Sequence, residues 1–145
     1  MKKETGTITP EETTNNILNL NSFCIIATAS EKGEPEAATI EYMRGDEYDL
    51  YFKTFSDSRK YKNLCLNHRA SIVVNFLPHS LQMNGIIFEL EGNEKEKIKE
   101  RFMKENGKEN WYNYPETKFL KFSPNWIRLF VPNKFFPIKQ IINKT

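Results

Sequence analysis

The chain has 145 residues, of which 39% are hydrophobic and 13% aromatic, and its formal net charge is +2. This length fits one domain, 1–145, with a substantial core, and we expect residues 1–8 to be flexible. Interspersed acids and bases give no broad basic field, so nucleic acid is not expected as a partner. The sequence has no apolar run of membrane-spanning length and no signal-peptide stretch, which predicts a soluble, cytoplasmic protein without a membrane partner.

The predicted elements alternate between short strands and a few helices. Thr9-Pro10-Glu11-Glu12 has the cap, proline and acids that begin a helix. The apolar run at 23–29 predicts a strand buried on both faces. Periodicity and turn residues then predict strands at about 36–43 and 48–53, a helix at 58–67 and a strand at 70–76. A loop is predicted at 78–85, followed by a strand marked by Ile86, Phe88 and Leu90. The third helix is predicted from a capping box of Asn93 and Glu96 to Gly107, and the final strands at 118–122 and 126–131. Six or seven short strands predict a mainly β (α+β) antiparallel barrel.

The histidines and cysteines give no sign of acid–base, nucleophilic or metal chemistry. His68 and His79 fall in or beside predicted loops without a third partner. Cys24 and Cys65 lie in apolar surroundings without CxxC spacing. We therefore predict buried structural thiols and a reducing compartment.

Two adjacent cations stand at the start of the second predicted helix. The segment 51–60 reads as a strand end, a polar turn and a first helical turn that contains Arg59 and Lys60. Each cation there costs about 0.3–1 kcal/mol, because the helix N-terminus is itself positive. A bound phosphate would make the free-energy contribution of both cations favourable, since it accepts hydrogen bonds from free N–H groups, from Thr54 and Ser58, and from both cations. A solvated helix start is the alternative interpretation. We call Thr54, Ser58, Arg59 and Lys60 the phosphate corner.

The order of these motifs resembles a known family over about residues 13–131. The motifs are Gly33-Glu34-Pro35, Lys53-Thr54, Ser58-Arg59-Lys60, Asn63-Leu64 with Asn67, the strand Ala70–Val74, Glu91-Gly92 and Pro124-Asn125-Trp126-Ile127-Arg128. Together they are similar to the pyridoxamine 5′-phosphate oxidase-like family of FMN-binding split β-barrels. The resemblance implies a six- to seven-stranded antiparallel split barrel with flanking helices, and a homodimer with FMN at its interface.

The resemblance also implies particular FMN-binding residues. The phosphate corner would hold the FMN phosphate, with Lys53 adjacent. Small residues of the second strand would lie against the isoalloxazine ring, partly through backbone groups; these are Ala38, Thr39 and Ile40. The family's FMN-contacting glutamine corresponds to Gln82 when counted from Lys60, or to Ile87 when counted back from Gly92. Trp126 and Arg128 are candidate contacts from the partner subunit, and a place in the barrel core is the alternative for Trp126.

The chain departs from the vitamin oxidases at its C-terminus. It lacks their substrate-binding segment, so authentic pyridoxamine 5′-phosphate oxidase activity is not expected. Instead it ends in an apolar tail, 132–145, which we expect to dock on the barrel or on the dimer partner.

Three classes of function remain open at this point. The leading hypothesis is an FMN-dependent oxidoreductase acting on a small or planar substrate, with NAD(P)H as a candidate electron donor. The second is a non-catalytic flavin-binding protein for storage or sensing. The third is a barrel that binds haem, a deazaflavin coenzyme, or single-stranded nucleic acid through a groove of Lys118, Lys121, Arg128 and Lys134.

Overall fold

The structure, a computed structural model, describes residues 7–107, 110–132 and 137–144. These residues form seven strands and three α-helices. The elements in chain order are α1 (Pro10–Leu20), β1 (Phe23–Ala29), β2 (Pro35–Arg44), β3 (Leu50–Phe55), α2 (Arg59–Leu66), β4 (Arg69–Phe76), β5 (His79–Glu89), α3 (Gly92–Asn106), a 3₁₀ turn (Asn110–Asn113), β6 (Thr117–Phe130) and β7 (Ile138–Asn143). Most of the N-terminal segment predicted to be flexible, residues 1–6, lies outside the described residues.

The strands form one antiparallel sheet that closes on itself. Their order is β3-β2-β1-β4-β5-β6-β7, and β3 also pairs with β6. Six strands therefore make a closed barrel, and β7 extends the sheet beyond β6. This arrangement confirms the predicted mainly β, antiparallel barrel. No helix among the described residues has the length and apolar character needed to cross a bilayer.

The side chains divide into two apolar clusters because neighbouring residues of a strand point to opposite faces. The barrel interior is filled by residues such as Ile26, Phe52, Ile72, Met83, Phe122 and Ile127. A second cluster lies outside the barrel, under α3, and contains Met43, Tyr51, Leu90, Ile98, Phe102, Tyr112 and Phe119. The helix α1 begins as predicted, since Thr9 and Glu12 form a reciprocal capping box.

The predicted loop at 78–85 is wrong, because these residues form most of β5. Here Leu81 and Met83 point into the barrel, whereas Gln82 and Asn84 point outward. This alternation is the period of a half-exposed strand, and the polar outward residues gave it the composition of a loop.

The boundaries near α3 and β6 also differ from the prediction. The capping box of Asn93 and Glu96 is wrong: Glu91 is the N-cap residue, and its side chain makes no capping bond within the described part of the chain.

The two predicted final strands are one strand, β6, which continues through Pro124. The register of β5 and β6 shifts at Asn84/Gly85, which accommodates the proline. A Cβ on Gly85 would lie 2.3 Å from the Ser123 carbonyl oxygen, so only glycine fits there.

Two predictions of burial are wrong as well. β1 is paired on both sides, but its outer surface is partly exposed in the part of the chain that the structure describes, with Phe23 57% and Ile25 41% exposed. Cys65 is exposed on α2, whereas Cys24 is buried as predicted. Of the C-terminal tail, 138–143 pair with β6 as β7, and Lys134, Phe135 and Phe136 lie outside the described residues.

Candidate functional site

Two hydroxyl groups meet where β3 ends and α2 begins. The Thr54 and Ser58 side-chain oxygens are 3.1 Å apart. Ser58 is the N-cap of α2, and its Oγ accepts a hydrogen bond from the Tyr61 backbone N–H at 3.2 Å. The first turn of α2, which lies wholly within the described residues, contains no acidic residue. Arg59 and Lys60 occupy that turn, so the phosphate corner combines hydroxyls, cations and a helix N-terminus.

Arg59 makes an ion pair that the sequence reasoning missed. Its Nη2 lies 2.9 Å from Glu36 Oε1 on β2. The Arg59 side chain is 82% exposed and that of Glu36 is 23% exposed. Both line an open cavity of about 400 Å³, together with Ser30, Glu34, Pro35, Lys62 and Asn63. Asn63 anchors this side of α2 to β1, because its Nδ2 donates to Thr28 Oγ1 at 3.1 Å.

Lys53 is not brought to the phosphate corner. It precedes Thr54 on β3 and therefore points to the opposite face of the strand. Its Nζ lies 2.5 Å from Glu41 Oε1 and 4.5 Å from the centre of the Phe102 ring. The rings of Trp111 and Tyr112 lie within 5.7 Å of the same ammonium group. Lys53 thus belongs to the cluster under α3.

The three predicted residues of β2 present different groups to the surface. Ile40 is buried in the barrel core, and Ala38 packs against that core. Only Thr39 has its side chain exposed on the outside of the barrel. Ala38 and Ile40 can therefore contact a ligand on the outer surface only through their backbone.

A cross-strand row connects β2 to β6 on the outside of the barrel. Successive register partners in this row are Thr39, Ile25, Val73, Gln82 and Arg128. We call this surface, together with Phe23 and Trp126, the outer face. Strands lie about 4.8 Å apart, so Thr39 and Gln82, three strands apart, are separated by roughly 14 Å along the sheet. One chain alone does not bring them to a common small ligand.

The far end of the outer face is a polar cluster with an aromatic ring. Arg128 Nη2 donates to Gln82 Oε1 at 3.1 Å, and the Arg128 guanidinium lies 5.4 Å from the centre of the Trp126 ring. Trp126 is half-buried on the outer face and is not part of the barrel core. Ile87 is 2% exposed inside the barrel, so of the two residues considered for the family's glutamine only Gln82 faces outward.

A second cavity, of about 230 Å³, lies on the other side of α2. Leu64, Ile87 and Leu120 contribute apolar surface to it, and its polar residues are Tyr61, Cys65, His68 and Glu89. The Tyr61 hydroxyl donates to Glu89 Oε1 at 2.6 Å, which raises the pKa of Tyr61. Throughout residues 7–107, 110–132 and 137–144, no three His, Cys, Asp or Glu side chains are placed to hold a metal ion.

Many solved structures share this fold, among them the following three. One is related to general stress protein 26 and comes from Clostridium acetobutylicum (pyridoxinephosphate oxidase family); it is 15% identical, with 91% of this chain and 93% of that chain covered and a TM-score of 0.71. A pyridoxamine 5′-phosphate oxidase-related, FMN-binding protein from Nostoc punctiforme is 14% identical, with coverages of 92% and 90% and a TM-score of 0.67. The haem storage protein HutZ from Vibrio cholerae is 13% identical, with coverages of 90% and 94% and a TM-score of 0.72.

At these identities the similarity concerns the fold alone. A search of curated protein sequences gives no significant match. The family model for pyridoxamine 5′-phosphate oxidase, however, matches residues 10–130, which include every strand of the closed barrel. The chain therefore belongs to the pyridoxamine 5′-phosphate oxidase family.

Proposed function

We propose that this chain binds FMN as a homodimer and acts as an FMN-dependent oxidoreductase on a small or planar substrate. The observation that carries the proposal is the donor set of the phosphate corner. Thr54 and Ser58 supply hydroxyls 3.1 Å apart, and Arg59 and Lys60 supply positive charge at the N-terminus of α2. Hydroxyl, guanidinium, ammonium and free backbone N–H groups are the donors that a phosphate monoester accepts.

The flavin ring would lie on the outer face of β2. Thr39 is exposed there, next to the inward-pointing Ala38 and Ile40. The outward side chains of this segment, Ala37 and Thr39, are small, so a flat ring can approach the backbone closely. FMN supplies the redox chemistry when it is bound. In this proposal the chain's own groups fix the phosphate and the ring, and exclude water from one side of the ring.

A second copy of the chain would complete the site. Gln82, Arg128 and Trp126 are too far from Thr39 along the sheet to contact the same ring in one chain. Phe23 and Ile25 lie between these positions and expose large apolar side chains. A partner that covers them would remove apolar surface from water and place its own Gln82 and Trp126 beside Thr39.

The proposal is tested by the visible absorption spectrum of the purified protein, before and after addition and removal of excess FMN. We expect flavin bands at one FMN per chain that survive desalting. Turnover with NAD(P)H and an acceptor then separates the oxidoreductase from a storage or sensing protein. A protein that neither retains FMN nor is thermally stabilised by it would contradict the proposal.

Haem is the second candidate ligand, because HutZ, a protein of the same fold, is a haem storage protein. His68 is exposed beside the 230 Å³ cavity and is available as an iron ligand on the surface. A Soret band after reconstitution with haem, lost in His68→Ala, together with no FMN binding, would favour this candidate. Flavin bands without a Soret band would favour FMN.

A further inference from the structure

The guanidinium group of Arg59 is in contact with a carboxylate. Arg59 Nη2 lies 2.9 Å from Glu36 Oε1, which projects from the beginning of β2. A second acid, Glu34, lines the same cavity, and Lys62 is the other cation there. The cavity therefore carries two acids against two cations. An anion arriving at Arg59 therefore meets a guanidinium that is already paired with a carboxylate.

The two acids differ in what they contact. Glu36 contacts Arg59 directly. Glu34 is held instead by Ser30, whose Oγ is 3.3 Å from Glu34 Oε1 and accepts from the Glu34 backbone N–H at 3.0 Å. Only Glu36 thus competes for the guanidinium that the phosphate corner would offer to a ligand.

We propose that Glu36 is an affinity-determining residue that competes with the phosphate group of FMN for Arg59. This inference rests on the proposed function. Guanidinium has five N–H donors in a planar fork, and a bidentate contact with phosphate uses two of them. A phosphate bound to Arg59 must either displace Glu36 or share the guanidinium with it. Sharing places a carboxylate a few ångströms from a dianion, in the partly exposed setting where like charges still repel.

The effect of Glu36 on binding depends on the charge of the ligand. Glu36 weakens the binding of a phosphate monoester but leaves an uncharged ligand with the same ring unaffected. Riboflavin, which lacks the phosphate, is the matched probe. The Arg59 side of the ion pair is largely exposed, so the effect is limited: removing the Glu36 charge should tighten FMN binding by about three- to tenfold.

The experiment measures dissociation constants of FMN and of riboflavin by quenching of flavin fluorescence. The proteins are the wild type, Glu36→Gln, Glu34→Gln, Arg59→Ala and the double variant Glu36→Gln/Arg59→Ala. We expect tighter FMN binding and unchanged riboflavin binding in Glu36→Gln. Glu34→Gln, which removes the same charge from the same cavity, should change FMN affinity by less than about twofold, because Glu34 does not contact Arg59. The effect of Glu36→Gln should vanish in the Arg59→Ala background.

Three results would overturn the inference, and one of them would also contradict the proposed FMN binding on which it rests. Equal FMN affinity in the wild type and Glu36→Gln would show that Glu36 does not compete. Weaker FMN binding in Glu36→Gln would show that Glu36 instead positions Arg59 for the ligand. If neither protein binds FMN, the proposed function fails and the inference fails with it. Binding by both proteins with equal constants contradicts the inference alone.

Discussion

Lys53 and Glu41 form an ion pair beneath α3, with Nζ 2.5 Å from Oε1. The Lys53 side chain is 6% exposed, and its ammonium lies 4.5 Å from the centre of the Phe102 ring. β2 and β3 are hydrogen-bonded neighbours, so the pair adds a side-chain contact between two strands already joined by their backbones. Lys53 has little access to water on this face, and Glu41 is the carboxylate that balances its charge. The pair therefore has a structural role next to the proposed ring-binding segment of β2.

Glu41→Gln should destabilise the protein by about 1–3 kcal/mol, because it leaves the buried Lys53 ammonium without a carboxylate. The value falls below that of a fully buried pair, since Glu41 is partly exposed. Urea denaturation of the ligand-free protein measures the change. The matched control is Glu96→Gln, which breaks the Glu96–Lys99 pair on the surface of α3 and should cost less than about 0.5 kcal/mol. Equal costs for the two variants would contradict the assigned role of Lys53.

Alternation along β3 explains why the position of Lys53 was missed. The family resemblance implied a place for Lys53 beside Thr54 at the phosphate, but successive residues of a strand face opposite ways. The barrel itself was predictable, because apolar residues recur with period two in most strands. The exposure of the outer side of β1 was not predictable, since apolar residues such as Phe23 and Ile25 occur in strands that face a core and in strands that face a partner. The Arg59–Glu36 contact joins residues far apart in sequence, and no local pattern indicates it.

Ser58→Asp should separate the capping role of Ser58 from its proposed ligand role. Aspartate is as good an N-cap as serine and is favoured by the helix dipole, so the ligand-free protein should be equally stable or gain up to about 1 kcal/mol. The new carboxylate would repel the FMN phosphate, and FMN affinity should fall at least about tenfold. Thermal unfolding without FMN and FMN titration measure the two effects. Wild-type FMN affinity in Ser58→Asp would contradict a phosphate at this cap.

Arg59→Ala should weaken FMN about ten- to a hundredfold, because it removes a hydrogen bond between two charged groups. The free energy of unfolding without FMN should change by less than about 1 kcal/mol, since the pair with Glu36 is exposed on the arginine side. Lys62→Ala is the control: Lys62 lines the same cavity but is the fourth residue of α2, about one turn after the Ser58 cap. If both variants bind FMN equally, Arg59 has no special role in holding the phosphate.

Ile25→Glu should dissociate the proposed homodimer. Ile25 is central to the outer face, between Thr39 and Val73, and a carboxylate there would be buried without a partner on dimerisation. We expect the dimer dissociation constant, from sedimentation equilibrium, to rise at least about a hundredfold. Leu66→Glu is the control, because Leu66 is also an exposed aliphatic residue, at 66% against 41% for Ile25, but lies on α2. A monomeric wild type would contradict the homodimer, and an unchanged dimer in Ile25→Glu would contradict this face as its interface.

Cys24 should make the protein less stable at high pH. It is buried in the barrel core, and burial raises the pKa of its thiol from 9.0 to about 12. The folded state thus keeps a proton that the unfolded chain loses. The contribution of the Cys24 thiol to the free energy of unfolding is therefore fully present below pH 9.0 and is lost as pH rises toward about 12. Burial likewise raises the pKa of Tyr42, whose hydroxyl donates to the Leu18 carbonyl at 2.6 Å.

Urea unfolding at several pH values from 8 upward measures this dependence, at most about 1.4 kcal/mol per pH unit for one group. Cys24→Ala should lower the stability at pH 8, because it leaves a small cavity, but its stability should fall less steeply above pH 9.0. Cys65→Ala, at an exposed position, should leave both the stability and its slope unchanged. A slope in Cys24→Ala as steep as in the wild type would assign the loss of stability to other groups.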